Sequence, residues 1–174
     1  MSGLTLRLHQ FECFVAEVYP ELHDHFTEMM IPTSSYASQW FLTLFGSALP
    51  LPCVERLFDL FILDSTDHGV LVIFRCGLAI LGMNHERLLQ SHFDGIMSTL
   101  HKGGLEQLFD GKEDALVDAI AKQGAHTVTK KKLAKYEKDW AAKQDAEQAE
   151  QGVLMRTRQG RDKLAGKLDA GSPT

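Results

Sequence analysis

The 174-residue sequence has few cysteines, no long apolar run and no excess of positive charge. Its three cysteines, Cys13, Cys53 and Cys76, form no Cys-x-x-Cys pair. Such spacing supports neither a disulfide framework nor a zinc knuckle. All three sit among apolar neighbours, where a free thiol behaves as a small hydrophobe. A reducing setting is therefore expected, cytoplasmic or at the cytoplasmic face of a membrane. The longest near-continuous apolar stretches, Phe58 to Leu63 and Val70 to Phe74, fall far short of a bilayer span, which excludes direct membrane insertion through them. The first residues lack an apolar stretch of signal-peptide length and a small-residue cleavage site. Lys and Arg total 18 against 23 Asp and Glu, a net charge of -5. Nucleic acid is not expected as the main partner, because phosphate binding needs a basic footprint.

Recognisable catalytic patterns are also missing. There is no His-Glu-x-x-His, no Gly-rich phosphate loop and no Gly-x-Ser-x-Gly elbow. Gly103-Gly104 reads as a linker. In His23-Asp24-His25 the two imidazoles are two residues apart on a helix, so they cannot share a face or a metal ion. Arg75 beside Cys76 could lower a thiol pKa, but the helical pattern points Cys76 inward, as a core thiol. No catalytic residue, metal ligand or cofactor-binding residue is assigned.

What the sequence does contain is helical periodicity, in a composition with 44% hydrophobic and 24% charged residues. Leu4, Leu8, Phe11, Phe14, Val15 and Val18 recur at spacings of three and four, one apolar helix face. Pro20 suits a first helical position and opens a helix carrying Leu22, Phe26, Met29 and Met30, ended at Ile31-Pro32. Thr33, Ser34 and Ser35 are N-cap candidates for a helix with Tyr36, Ala37, Trp40, Phe41, Leu44 and Phe45, broken by Gly46 through Pro50. Pro52 starts a helix with Val54, Leu57, Phe58, Phe61 and Ile62. Residues 64–69 form a polar turn. A further helix spans about 70–81 and stops at Gly82. Asn84 caps a short helix holding Leu88 and Leu89. Phe93, Ile96, Met97 and Leu100 mark another, and Leu116, Val117 and Ile120 a last one ended by Gly124. Strand readings of 58–63 and 70–74 fail because the 3.6-residue period continues on both sides. The expected fold class is all-α, helices packed around one core.

Charge divides the chain. Residues 1–125 carry 7 basic and 16 acidic side chains, net -9; residues 126–174 carry 11 and 7, net +4. From Thr129, a helix cap, the sequence is rich in Lys, Ala, Gln and Glu to about Gln151. Leu133, Tyr136 and Trp140 supply one to two weak heptads, short of a coiled coil. Arg156 to Thr174 has few large apolar groups and is expected to be a disordered tail. The expected organisation is a helical domain over 1–125, a charged linker helix over 126–151 and a tail over 152–174. Asp59 interrupts a strongly apolar run. A charge at a buried position needs a partner, so Asp59 is expected to be buried and paired with Arg75 or Arg56.

Three blocks carry a family resemblance. They are Tyr36-Ala-Ser-Gln-Trp-Phe-Leu-Thr-Leu-Phe45, Leu49-Pro-Leu-Pro-Cys-Val-Glu-Arg-Leu-Phe-Asp59 and Phe74-Arg-Cys-Gly-Leu-Ala-Ile-Leu81. In this order and spacing they resemble the TBC domain, the catalytic domain of Rab GTPase-activating proteins of vesicle trafficking. Lys131-Lys-Leu-Ala-Lys-Tyr-Glu-Lys138 is similar to the linker helix of a subfamily in which a coiled coil follows the domain. The resemblance spans roughly 5–140 and is to the C-terminal half of the domain. It implies that Tyr36, Trp40, Phe41 and Phe45 are core aromatics and that a GTP-bound Rab is the partner. The family acts through an Arg in Ile-x-x-Asp-x-x-Arg and a Gln in Tyr-x-Gln-Gly. Gln123-Gly124, Gln151-Gly152 and Gln159-Gly160 lack the Tyr, and Arg7, Arg56 and Arg75 lack an Asp three residues earlier. No finger residue carries over, and the chain alone is expected to be inactive. The expectation is part of a Rab GTPase-activating protein. The alternative is a non-catalytic helical interaction module that binds a Rab or another trafficking partner. A half-domain also implies an uncovered apolar face and self-association through it.

Overall fold

A computed structural model describes residues 2–63, 69–123, 127–146 and 149. The polar turn expected at 64–69 falls almost wholly outside the described residues, and so do Gly124, the end of the charged helix near Gln151 and the tail over 152–174. Among the described residues there are helices and no strands. In chain order they are α1 (Ser2–Val18), α2 (Pro20–Glu28), α3 (Thr33–Leu42), α4 (Leu51–Leu63), α5 (Gly69–Met83), α6 (His85–Leu89), α7 (Phe93–Leu100), α8 (Lys102–Phe109) and α9 (Glu113–Lys122). Residues 130–146 are also helical. The chain divides into two compact units, Met1–Tyr136 and Glu137–Thr174. The described part of the second, 137–146 and 149, is helical and mostly exposed.

α5 explains the architecture of the first unit. Of its fifteen residues nine are buried, among them Phe74, Cys76, Leu78, Ile80 and Leu81. A helix apolar nearly all round must be surrounded by others. α1, α3, α4, α6 and α9 all pack against it. The expected end at Gly82 is corrected: α5 continues to Met83. Gly82 is there for a close approach, since a Cβ on it would lie 2.1 Å from the Tyr19 hydroxyl oxygen.

Two helix ends differ from expectation for one physical reason. α3 stops at Leu42, before Gly46, and the left-handed residues are Leu44 (φ 48°) and Phe45 (φ 64°). A left-handed L-residue costs roughly 1–2 kcal/mol. Here the turn brings Phe45 to full burial beside Trp40, ring centroids 5.7 Å apart, and the Phe45 N–H donates to the Trp40 carbonyl at 2.8 Å. Met30 (φ 54°) ends α2 in the same way, letting the Ile31 N–H reach the Phe26 carbonyl at 2.8 Å. Burial of Phe45 and Ile31 offsets the backbone strain.

The expected caps are partly corrected. Pro32 is the N-cap of α3, and Ser35 turns its hydroxyl back to the Pro32 carbonyl at 2.7 Å. Asn84 does stand at the start of α6, but its amide donates backward to the Ile80 carbonyl at 2.8 Å. Thr129 Oγ1 accepts from the Lys132 N–H at 3.3 Å, an N-terminal cap. Gly103-Gly104 is no linker: both lie in the first turn of α8, which glycine-based reasoning missed.

Residues 127–136 are strapped to α1 and α5 by polar contacts around an aromatic one. Fully buried Gln10 donates to the Leu133 carbonyl at 2.9 Å and accepts from Arg7 at 2.9 Å. Arg75 donates to the Val128 carbonyl at 3.3 Å. Tyr136 meets Phe14 edge-on, centroids 5.0 Å apart. Glu17 accepts from both the Lys132 ammonium and the Tyr136 hydroxyl. These bonds, Lys132 first and Tyr136 second, hold the Glu17 carboxyl below its usual value of 4.5. A carboxyl with a lowered folded-state pKa stabilises above the unfolded value and loses that contribution as pH falls through the folded one. A Glu17→Gln variant should therefore melt lower than the parent at pH 7, with the gap closing at about pH 2. Thermal melts at the two pH values check this, and a gap independent of pH would contradict it.

Candidate functional site

The aromatic block of α3 lies inside the first unit. Tyr36 and Trp40 are buried, while Phe41 is half-buried at its edge. All three ring Phe11 of α1, with centroids 6.5, 6.5 and 5.2 Å away. Edge-to-face geometry matches positive ring edges to negative faces. The Trp40 indole N–H donates to the Leu100 carbonyl at 3.3 Å, tying α3 to the end of α7. Phe74 joins the cluster from α5, 5.5 Å from Phe41.

Asp59 is a correction. It is exposed, and among the described residues no ion pair engages it. α4 buries Cys53, Val54 and Leu57. Asp59 follows Leu57 by two residues, about 200° further round the helix and on the other face. The apolar run suggested burial all round, yet Phe58 is 42% exposed, Ile62 74% and Leu63 78%. The two arginines expected beside Asp59 go elsewhere. Arg56 pairs with Asp114 of α9 at 3.0 Å. Arg75 keeps to Val128, and its Nε is buried without a partner. Asp59 instead lines an open groove between α4 and α9 with Arg56, Leu60, Ile62, Asp114 and Val117.

The remaining candidates do not converge. His23 faces Asp24 and Glu12 at 3.6 and 4.0 Å, whereas His25 meets the Ser91 carbonyl at 3.0 Å. Among the described residues no group of three His, Cys, Asp or Glu side chains could hold a metal ion. Cys76 is fully buried, and burial first, then Cys53, pushes its thiol up. Cys53 is pushed up to about 11 by burial, then by Glu113 and Asp110. Neither thiol presents a thiolate near neutral pH, which removes the chemistry a cysteine nucleophile needs. No helix of the described residues is long and apolar enough to cross a membrane. The polar strap at Glu17, Lys132 and Tyr136 went unrecognised in the sequence, because Glu17 lies more than a hundred residues from the other two.

Comparison with known proteins places this arrangement. A family model, the RabGAP TBC domain, matches residues 1–143. The chain belongs to the RabGAP TBC domain family. The TBC match includes α1 to α9 and most of the following helix. The chain is similar to the mouse Ecotropic viral integration site 5 protein, 38% identical over 160 residues, 91% of this chain and 18% of that one. It is also similar to the Caenorhabditis elegans Rab GTPase-activating protein eat-17, 33% identical over 170 residues, 97% of this chain and 18% of that one. The Schizosaccharomyces pombe GTPase activating protein Gyp51 is 42% identical over 100 residues, 58% of this chain and 9% of that one. The chain thus spans under a fifth of the length of these relatives.

Proposed function

We propose that the chain is part of a GTPase-activating protein for Rab family small GTPases and contributes its TBC scaffold without the finger residues. The family match over 1–143 carries this reading. The aromatic cluster supports it physically, since Tyr36, Trp40, Phe41 and Phe74, which belong to the blocks that carry the resemblance, pack around Phe11 in the core. In a TBC domain the Arg finger neutralises charge developing on the transferred phosphoryl oxygens, and the Gln positions the attacking water. Neither motif occurs in residues 1–174. The scaffold's task is then to hold its share of the Rab surface and to fix the elements that present the fingers. The protein would act in the cytoplasm, peripheral to endomembranes where Rabs reside.

A second reading, a non-catalytic module that docks a Rab or another trafficking partner, is favoured by the exposed Phe58, Ile62 and Leu63 of α4. Such a strip supports the expectation of an uncovered apolar face and of self-association through it. Single-turnover GTP hydrolysis over a panel of Rabs, with this chain alone added, tests the first reading. The rate should stay at the intrinsic value. A rise of about tenfold or more would mean that finger chemistry resides here after all.

A further inference from the structure

Residues 1–125 hold only seven basic side chains, within a net charge of -9. Four of them are engaged by neighbours: Arg7 with Gln10 at 2.9 Å, Arg56 with Asp114 at 3.0 Å, Arg75 with the Val128 carbonyl at 3.3 Å and Lys102 with Glu106 at 3.8 Å. The other three, Arg87, Lys112 and Lys122, are exposed, and among the described residues no ion pair engages them. All three line one open cleft of about 830 Å³ bounded by α5, α6, α8 and α9. Glu86 is the one carboxylate in that lining, and His85 adds an imidazole 5.5 Å from the Tyr19 ring.

The shape of the cleft follows from the sequence. Lys112, Ala119, Lys122 and Gln123 recur along α9 and its caps at offsets of seven, ten and eleven, one helix face. Ala79 and Gly82, three apart on α5, also line it. Ala79 is small, and the place a Cβ on Gly82 would take is filled by the Tyr19 hydroxyl, which thereby joins the wall of the cleft. Lys112 and Lys122 are ten residues apart, about 15 Å along a helix. Side chains extended away from the helix suit two separated carboxylates, whereas one anion between them would draw both lysines down along the helix axis. Two carboxylates in an extended chain span that distance when about four to five residues separate them. The Tyr19 hydroxyl accepts from Gln123 at 2.8 Å, which leaves its proton to donate to a peptide carbonyl.

We propose that this cleft binds an extended acidic peptide segment of a partner protein, with Lys112 and Lys122 holding two separated carboxylates and Arg87 a third anionic group. The inference stands apart from Rab recognition, because it rests on the cleft's charge and spacing alone. Arg87 and Lys122 stand in the last turns of α6 and α9, where a cation also suits the helix dipole, and the cleft focuses the field of all three cations on a ligand of opposite sign.

Fluorescence anisotropy with a labelled peptide tests it. The probe carries two glutamates five residues apart in a Ser/Gly sequence; a second probe of the same composition has them adjacent. The full chain should bind the spaced probe about fivefold or more tightly than the adjacent one, and binding should weaken as salt rises from 50 to 200 mM, as screening requires. The double variant Lys112→Glu/Lys122→Glu should lose about tenfold or more, while Lys102→Glu, outside the cleft, should bind like the parent. Lys112→Gln/Lys122→Gln guards against a folding defect, with circular dichroism matched to the parent. No binding, binding insensitive to both double variants, or equal binding of the two probes would overturn the proposal. So would charge-reversal-sensitive sedimentation with phosphatidylserine vesicles in the absence of peptide binding, which would assign the cleft to a membrane surface.

Discussion

Replacing Trp40 with alanine should destabilise the first unit by about 3–5 kcal/mol, the usual range for a buried Trp or Phe truncation. Trp40 is 1% exposed and meets Tyr36, Phe45 and Phe11 at centroid distances of 5.3, 5.7 and 6.5 Å. Its removal loses three aromatic contacts, opens a cavity and takes the indole donor from the Leu100 carbonyl. Phe45 also loses the neighbour that offsets its left-handed backbone, so the turn after α3 should loosen. Native domains are stable by only about 5–15 kcal/mol, and this one substitution should bring the chain close to unfolding. Urea denaturation followed by helical circular dichroism measures it. Phe58→Ala, at a position 42% exposed, should cost about 1 kcal/mol or less and serves as the comparison. Equal costs for the two would contradict the placement of the aromatic block.

Gly104→Ala should cost about 2–3 kcal/mol, although alanine is the better helix former. A Cβ at Gly104 would lie 2.1 Å from the Ser98 carbonyl oxygen and 2.6 Å from that of Thr99. These are backbone atoms at the end of α7, so relief requires moving α7 or α8 rather than a side-chain rotation. The adjacent glycine supplies the control. Nothing lies within 4 Å of a Cβ at Gly103. Gly103→Ala should therefore stabilise, by up to about 1 kcal/mol, through helix propensity and a less flexible unfolded chain. Opposite signs at neighbouring glycines, read from melting temperatures, would establish the tight α7–α8 corner. Similar effects at both positions would remove it.

The all-helical class was legible because amphipathic periodicity runs through α1, α2, α4 and α9, and the Pro residues at 20 and 52 mark helix starts. α8 was illegible. Its first turn carries Gly103 and Gly104, which usually break helices; the packing of α7 explains Gly104, while nothing in the structure requires glycine at 103. Gly82 misled in the same way: a glycine chosen for contact with Tyr19 looks like a helix stop in one dimension. Asp59 shows the limit of reasoning from an apolar run. The run implied burial on every side, but α4 is covered on one face only, and which face is covered depends on α9 and α5, far along the chain. The aromatic block was legible as core because its four-residue recurrence is local. The cationic cleft was not, since Arg87, Lys112 and Lys122 come from separate elements and only the fold places them together.

We propose that residues 1–143 serve as the scaffold of a Rab-activating TBC domain and that its finger residues are supplied from outside them. A chimera tests it most directly. In the C. elegans Rab GTPase-activating protein eat-17, the segment aligned with residues 1–143 is replaced by those residues of this chain, and single-turnover GTP hydrolysis is measured over a Rab panel. The folded chimera should accelerate hydrolysis by at least about tenfold over the intrinsic rate for some Rab, as stabilisation by an arginine finger requires. A chimera with parental helicity and a cooperative melt that leaves every Rab at its intrinsic rate would contradict it.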